Sequence, residues 1–386
     1  MKYIYLDNAS TTPTDQEVLE AMQPYFSKEY GNVSSMHQMG QKPLEAVEES
    51  RMSIAKFFGC NQKEIIFTSG ASESNNMAIK GVAEALRGQG KHLLINPIDH
   101  SSVVHTAQHL ANSGFKVTWL KTDKYGIIDE KFLVDSIGED TTLVSIGHSN
   151  NEIGTLQPVA DLVKLVKKEN PKILFHTDAT QSVQYFDLNV DKLGVDLLSL
   201  TGHKFYAPKG IGALYSRQGV HLEKIIDGGQ QEFGKRSGTE NVPYIIGMAK
   251  AIELVTKNRQ VIFEQVSQLS NKLIKKIPDL IPDTELTGHP IARLPHVVNY
   301  IFKKIEGESI MLLLDKKGIA VSTGSACASH SLTPSHVLTG IGYPADEAHG
   351  SIRFSLGKHN KETEIDYLLE VLPPIIQQLR KISPLK

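Results

Sequence analysis

The sequence predicts an α/β fold around a mainly parallel sheet, on three observations. Apolar residues recur at helical spacing, short unbroken apolar runs alternate with them, and each run ends in a polar cluster. Val159, Leu162, Val163 and Val166 stand at i, i+3, i+4 and i+7 behind Pro158, a residue suited to a first helical turn. Ile79, Val82, Ala83 and Leu86 repeat the spacing. The runs 64–67, 93–95, 143–146, 173–175 and 196–200 are brief and do not alternate, as expected of strands buried on both faces. Strands of that kind alternating with helices build parallel sheets.

The polar clusters follow in chain order. They are Ser69-Gly70-Ala71-Ser72-Glu73, Asp99-His100, His148-Ser149-Asn150-Asn151-Glu152, Asp178-Ala179-Thr180-Gln181 and Thr201-Gly202-His203-Lys204. Open α/β sheets bind ligands beyond the carboxyl ends of their strands, so five such clusters are expected to converge on one crevice. Turn residues gather at strand ends in any fold, but these also carry His, Asp, Gln and Lys. Past about residue 255 the texture changes. Pro278, Pro282, Pro290 and Pro295 fall among turn signals, a second mixed α/β segment follows, and a domain boundary is expected near there. Ile365, Leu368, Leu369 and Leu372 mark a last helix.

Length and charge bound the function. At 386 residues the chain can hold two or three compact units. Its 41 Lys+Arg against 43 Asp+Glu give a net charge of -2, which predicts no nucleic-acid or membrane partner and favours a small molecule or a protein. Two cysteines, Cys60 and Cys327, are too few for a disulfide-stapled scaffold or a zinc ribbon. The first residues reach Asp7 before a signal-peptide core could form, and no apolar run approaches membrane-spanning length. A soluble protein of a reducing compartment, cytoplasmic, is expected.

Three constellations suggest chemistry. Gly229 to Arg236 approaches a phosphate-binding loop, but Arg236 stands where magnesium needs a hydroxyl, and 222–227 is a weak strand candidate ahead of it. His105 and His109, one helical turn apart, form a metal-ligand spacing with no third ligand, so no metal is expected. Asp178 and Lys204 end two successive strand candidates, and the Ser69–Ser72 turn leads into a helix whose start can seat an anion. A lysine in a desolvated crevice can form a Schiff base, and an Asp against a pyridine nitrogen keeps that ring cationic. Phosphate seat, Asp and Lys are what pyridoxal 5'-phosphate requires.

At this point the chain resembles a known family. Tyr5-Leu6-Asp7-Asn8-Ala9-Ser10-Thr11-Thr12-Pro13, Thr68 to Asn76, Asn150-Asn151-Glu152-Ile153-Gly154, His176 to Ser182, Gly202-His203-Lys204 and Ser325-Ala326-Cys327 stand together as in the cysteine desulfurases of the iron–sulfur-cluster and nitrogen-fixation type. The resemblance covers essentially the whole chain. It departs at Val33, where the family commonly has proline, and at Ser72, where threonine is more usual and the hydroxyl is kept.

The resemblance implies a pyridoxal-phosphate transferase fold of type I, aspartate-aminotransferase-like, and a homodimer. Residues 15–258 would form the large cofactor-binding domain. Residues 1–14 with 259–386 would form a small domain carrying the Cys327 loop. Lys204 would hold the cofactor, Asp178 its pyridine nitrogen, Gln181 its phenolic oxygen, and His100 would stack on its ring. Ala71, Ser72, Thr201 and His203 would bind the phosphate, with Thr239 added from the partner subunit. Asn151 and Arg353 would hold L-cysteine, the guanidinium gripping its carboxylate. Cys327 would take the sulfur as a persulfide and pass it to an acceptor protein, an iron–sulfur scaffold or a sulfur relay. A selenocysteine lyase or another carbon–sulfur lyase is the alternative on this fold. A non-catalytic scaffold is not expected, since Lys204, Asp178 and Cys327 are all present. Cys60, behind Phe57-Phe58-Gly59, reads as a packing residue.

Overall fold

The computed structural model describes residues 3–324 and 333–384, so Cys327 lies outside the described residues. β1 (Ile4–Tyr5) opens the chain. The strands that follow are β2 (Ile65–Thr68), β3 (His92–Ile95), β4 (Lys116–Trp119), β5 (Thr141–Ser145), β6 (Leu174–Asp178), β7 (Leu197–Thr201) and β8 (Gly212–Ser216). They form one seven-stranded sheet in the order β2-β8-β7-β6-β5-β3-β4. Pairing is parallel except at β8, which runs antiparallel to both of its neighbours. The mainly parallel sheet expected from the apolar runs is therefore present.

Each expected strand lies within a few residues of its apolar run. Strand β2 starts at Ile65 rather than Glu64, because Glu64 closes a capping box with Asn61 over a single 3-10 turn. Two strands of the seven-stranded sheet match none of the expected runs: β4, half-exposed at the sheet edge, and β8. The stretch 222–227 forms no strand, so the strand that a phosphate-binding loop at Gly229–Arg236 would need is missing.

Alternate strand residues face opposite layers, as the period of two dictates. Ile65, Phe67, Val144, Phe175 and Leu198 join a core completed by the helices Gln38–Phe58 and Val159–Glu169. Ile66, Leu93, Leu143, Leu197 and Leu214 face the other way, onto the helices Ala71–Ala85 and Ser101–Asn112. The sheet is thus covered on both faces, which is what lets its strands be continuously apolar.

The chain then enters a 39-residue helix, Val242–Leu280. Val242 to Val255 of it pack on the first core, while Ile262 to Ile277 belong to a separate one. That second core lies under a four-stranded antiparallel sheet of β9 (Thr284–Leu286), β10 (Val297–Phe302), β12 (Ser322–Thr323) and β13 (Ser351–Ser355), while β11 (Ile319–Ala320) pairs parallel with β1. Val298, Tyr300, Phe302, Ile352 and Phe354 point into this core with the helix Glu362–Ile382. Asn299 and Arg353, paired across β10 and β13, take the alternate positions.

One short segment joins the two cores at the site. Asn8 N–H donates to Ser355 O (3.1 Å) at the end of β13, and Thr12 N–H donates to His203 O (2.8 Å) beyond β7. Residues 9–11 therefore cross from the small sheet to the large one. Among the described residues, no helix is long and apolar enough to cross a membrane.

Candidate active site

The five polar clusters open into one cavity of about 590 Å³. Ser72, His100, Asn151, Asp178 and Lys204, one from each cluster, line it, and so do Ala71, Gln181, Thr201, His203 and Arg353. Of the residues implied by the family resemblance, Thr239 is exposed and is not among those lining the cavity, and Cys327 lies outside the described residues.

Lys204 closes the 3-10 turn Gly202–Lys204 that follows β7. Its Nζ donates to Ala9 O (2.8 Å) and Ser10 O (2.6 Å), so the crossing segment holds the amine over the strand ends. Asp178 ends β6. One of its oxygens accepts the Thr180 N–H (2.9 Å), and the other accepts the Asn75 amide (2.7 Å). Asn75 is fully buried on the helix Ala71–Ala85, and its amide also donates to Ser102 Oγ (2.8 Å). Ser102 Oγ lies 2.8 Å from His100 Nδ1. A chain of polar contacts thus couples the orientation of the Asp178 carboxylate to that of the His100 ring.

Burial favours the neutral form of the imidazoles at the cavity, His100 and His203. His100 caps the helix Ser101–Asn112, its Nδ1 accepting the Ser102 N–H (3.1 Å), which leaves the ring proton on Nε2. Burial, then the Lys204 charge, lowers its pKa against the pull of Asp178. Burial and the cations of Lys204 and Lys209 bring His203 down to about 4.

The helix Ala71–Ala85 begins without a side-chain cap, and Gly70, Ala71 and Ser72 at its start line the cavity, so its first turn keeps donor capacity there. Gly70 precedes it at φ 153°, a conformation that excludes ordinary side chains. A Cβ on Gly212 of β8 would stand 2.7 Å from Gly70 Cα, so a glycine there is what lets the turn press against the sheet. Arg353, buried on β13, donates to Asn151 O (2.9 Å), Asp7 Oδ1 (3.0 Å) and Ser10 Oγ (2.7 Å), and its Nε has no hydrogen-bond partner. The guanidinium is thus fixed in place by three acceptors.

Two buried carboxyls stand at the wall. Burial, with the Asp178 charge, pushes Asp99 up to about 8 against the Gly147 N–H that it accepts. Burial pushes Glu152 up to about 7, against Ser335 Oγ–H (2.5 Å) and the Arg353 charge. The residue reading assigned no role to Asn75, Ser102, Glu152 or Ser335. Asn75 and Glu152 stand inside the recognised runs, whereas Ser102 and Ser335 carry no local signal.

The remaining expectations concern metal and thiol. His105 and His109 are both exposed on the helix Ser101–Asn112, and among the described residues no group of three His, Cys, Asp or Glu could hold a metal ion. Cys60 packs half-buried against the main core, and burial pushes its thiol up to about 12.

The donor set fits pyridoxal phosphate. It comprises an amine, a doubly bonded carboxylate, neutral imidazoles and an uncapped helix start around a cavity of suitable size. The shielded Thr180 hydroxyl, also in the lining, finds no partner in the protein.

The profile of the aminotransferase class-V family matches residues 4–368. A cysteine desulfurase IscS of Dictyoglomus turgidum is 49% identical over 99% of this chain and 97% of its own length. Among solved structures, a NifS-like protein superposes with a TM-score of 0.92 at 38% identity, over 98% of this chain and all of that one. A structure described as SspA in complex with cysteine superposes with a TM-score of 0.82 at 37% identity, over 93% of this chain and all of that one.

Proposed function

The chain belongs to the class-V aminotransferase family, within its cysteine desulfurase branch, and from that membership we propose the division of labour in its site. The enzyme depends on pyridoxal phosphate, converts L-cysteine to L-alanine, and transfers the sulfur through a persulfide on Cys327 to an acceptor protein. The observation that carries the assignment of residues is the meeting of Lys204 and Asp178, from adjacent strand ends, in a cavity that an uncapped helix start also lines.

When bound, pyridoxal phosphate supplies an aldehyde that condenses with amines and a ring that draws electron density from the substrate Cα. Lys204 would hold the aldehyde end of the group, and its amine would serve as the base for the substrate Cα proton. Asp178 keeps the pyridine nitrogen protonated, with Asn75 and the Thr180 N–H fixing its two oxygens. Gln181 would donate to the phenolic oxygen, and His100 would stack on the ring. Ala71, Ser72, Thr201 and His203 seat the phosphate, with Thr239 reaching the site of a second copy. Arg353 and Asn151, which both line the cavity, would orient the cysteine carboxylate. Cys327 attacks the substrate sulfur as thiolate. An S–S bond forms, the C–S bond breaks, and its electron pair remains on the carbon that becomes alanine after protonation.

The same reading assigns 15–258 to the large domain and 1–14 with 259–386 to the small one, supported by the handover of the helix Val242–Leu280 between two cores. It includes a homodimer, a cytoplasmic location and an iron–sulfur scaffold or sulfur relay as acceptor. The test is mass spectrometry after incubation with L-cysteine. A gain of one sulfur on the Cys327 peptide, with alanine released and a yellow chromophore lost in Lys204→Ala, is expected. Sulfur on Cys60 instead, or a colourless protein after reconstitution, overturns the assignment.

A further inference from the structure

Against Gln181 lies a fully buried histidine that the mechanism above does not use. His296 is 1% exposed and immediately precedes β10. Its backbone is tied to the small sheet by the Leu356 N–H, which donates to His296 O (2.9 Å). Its ring stacks on Tyr185, with centroids 4.7 Å apart and planes at 21°. Its Nε2 lies 3.3 Å from Gln181 Oε1, while its Nδ1 is buried without a partner.

Hydrogen-bond bookkeeping fixes the roles. Gln181 Nε2 donates to Ala9 O (2.9 Å), a carbonyl that can only accept, so the amide nitrogen must face Ala9 and the amide oxygen must face His296. The oxygen can only accept, so His296 must carry its proton on Nε2. Burial, then the Arg353 and Lys204 charges, lowers this histidine to about 3, and no carboxylate is among the groups acting on it. Burial therefore favours the neutral ring, and the hydrogen bond to Gln181 places its proton on Nε2. The amide is held from both ends, and its second N–H is the donor it has left for the cavity that Gln181 lines.

We propose that His296 is a positioning residue, whose Nε2–H holds the Gln181 amide in the one orientation that offers an N–H to the phenolic oxygen of the cofactor. This rests on the role given to Gln181 above, and it makes the small sheet a determinant of cofactor electronics. An N–H donated to that oxygen stabilises its negative charge once the linkage nitrogen has lost its proton. Loss of the donor accordingly raises the pH at which the visible band of the holoenzyme changes.

The experiment titrates the visible absorption of four holoenzymes: wild type, His296→Phe, His296→Gln and Gln181→Leu. Phe keeps an aromatic ring against Tyr185 and removes the donor, so the midpoint is expected to rise by about one pH unit. Gln restores an N–H at the same reach and is expected to return the midpoint to that of the wild type, which a merely space-filling role would not require. Gln181→Leu should match His296→Phe. A shift in Gln181→Leu with none in His296→Phe overturns the role of His296 alone. No shift in Gln181→Leu overturns the reading of Gln181, and the role of His296 with it. Should His296→Phe fail to fold, nitrogen-15 chemical shifts of the wild-type imidazole, assigned by the signal lost in His296→Gln, give the answer directly. Protonated Nε2 with bare Nδ1 is expected, and a proton on Nδ1 refutes the proposal.

Discussion

Replacing Glu152 with Gln is expected to remove a pH dependence of stability that the wild-type chain carries between about pH 4.5 and 7. The side chain is buried at the cavity wall, with Ser335 Oγ–H as its donor, and burial lifts its carboxyl from 4.5 to about 7. Across that window the folded chain retains a proton that the unfolded chain has released. The stabilisation is therefore complete below pH 4.5 and is lost as pH rises through 7. At about 1.36 kcal/mol per pH unit the full loss is about 3 kcal/mol, of which about 2.5 kcal/mol falls between pH 5 and pH 8. Gln has the same shape, still accepts from Ser335 and cannot ionise. Urea unfolding of the two cofactor-free proteins at both pH values isolates this group, because every other titration is common to them. The advantage of Glu152→Gln over wild type should grow by about 2.5 kcal/mol from pH 5 to pH 8. A difference that stays constant refutes the reasoning. The site matters because the Glu152 carboxylate also stands 3.4 Å from where a Gly324 Cβ would be, so one carboxyl meets residues on both sequence flanks of the segment that carries Cys327.

Two further outcomes follow from buried groups. Glu232 pairs with Arg51 at 2.7 and 2.9 Å between the Phe67 and Phe233 rings, both charges being buried, so Glu232→Ala should cost about 3–5 kcal/mol in unfolding free energy by stranding the guanidinium. The double change Arg51→Met with Glu232→Leu should recover most of that loss, and equal losses in the single and double variants would contradict the pairing. With its thiol near 12, Cys60 is expected to resist iodoacetamide at pH 8 in the Cys327→Ala protein, about one molecule in 10⁴ being thiolate. Labelling within minutes would show that the thiol is not shielded as described.

The residues that do chemistry were legible because the parallel sheet imposes a rule on where they stand. Asp178 ends β6 and Lys204 closes the turn after β7, its neighbour in the sheet, and a ligand crevice beyond the carboxyl ends follows from topology alone. What orients them was not legible, since it depends on contacts between distant residues. Asn75 reaches Asp178 over 103 positions, and Ser335 reaches Glu152 over 183. Hydroxyls and amides of this kind look the same in sequence whether they cap a helix or aim a catalytic carboxylate.

The two strands that escaped the reading explain more about the site than those it found. An edge strand such as β4 buries little and so needs no apolar run. Strand β8 opens on Gly212-Ala213, too small to register as core, yet its smallness is its use, because only a glycine there admits the Gly70 turn. Running antiparallel between β2 and β7, it pairs Gly212 with both Thr68 and Thr201, so the turn into the helix and the turn that carries Lys204 leave the same edge of the sheet. The crossing segment does the same from the other side. Ala9 and Ser10 give backbone carbonyls to Lys204, and Asp7 and Ser10 give side-chain oxygens to Arg353. A run of small residues between two sheets thus holds an amine of one and a guanidinium of the other. A Pro at position 10 would test that coupling in one step, because it removes the Ser10 hydroxyl from Arg353 and the backbone N–H that now donates to Asp7 O (3.0 Å).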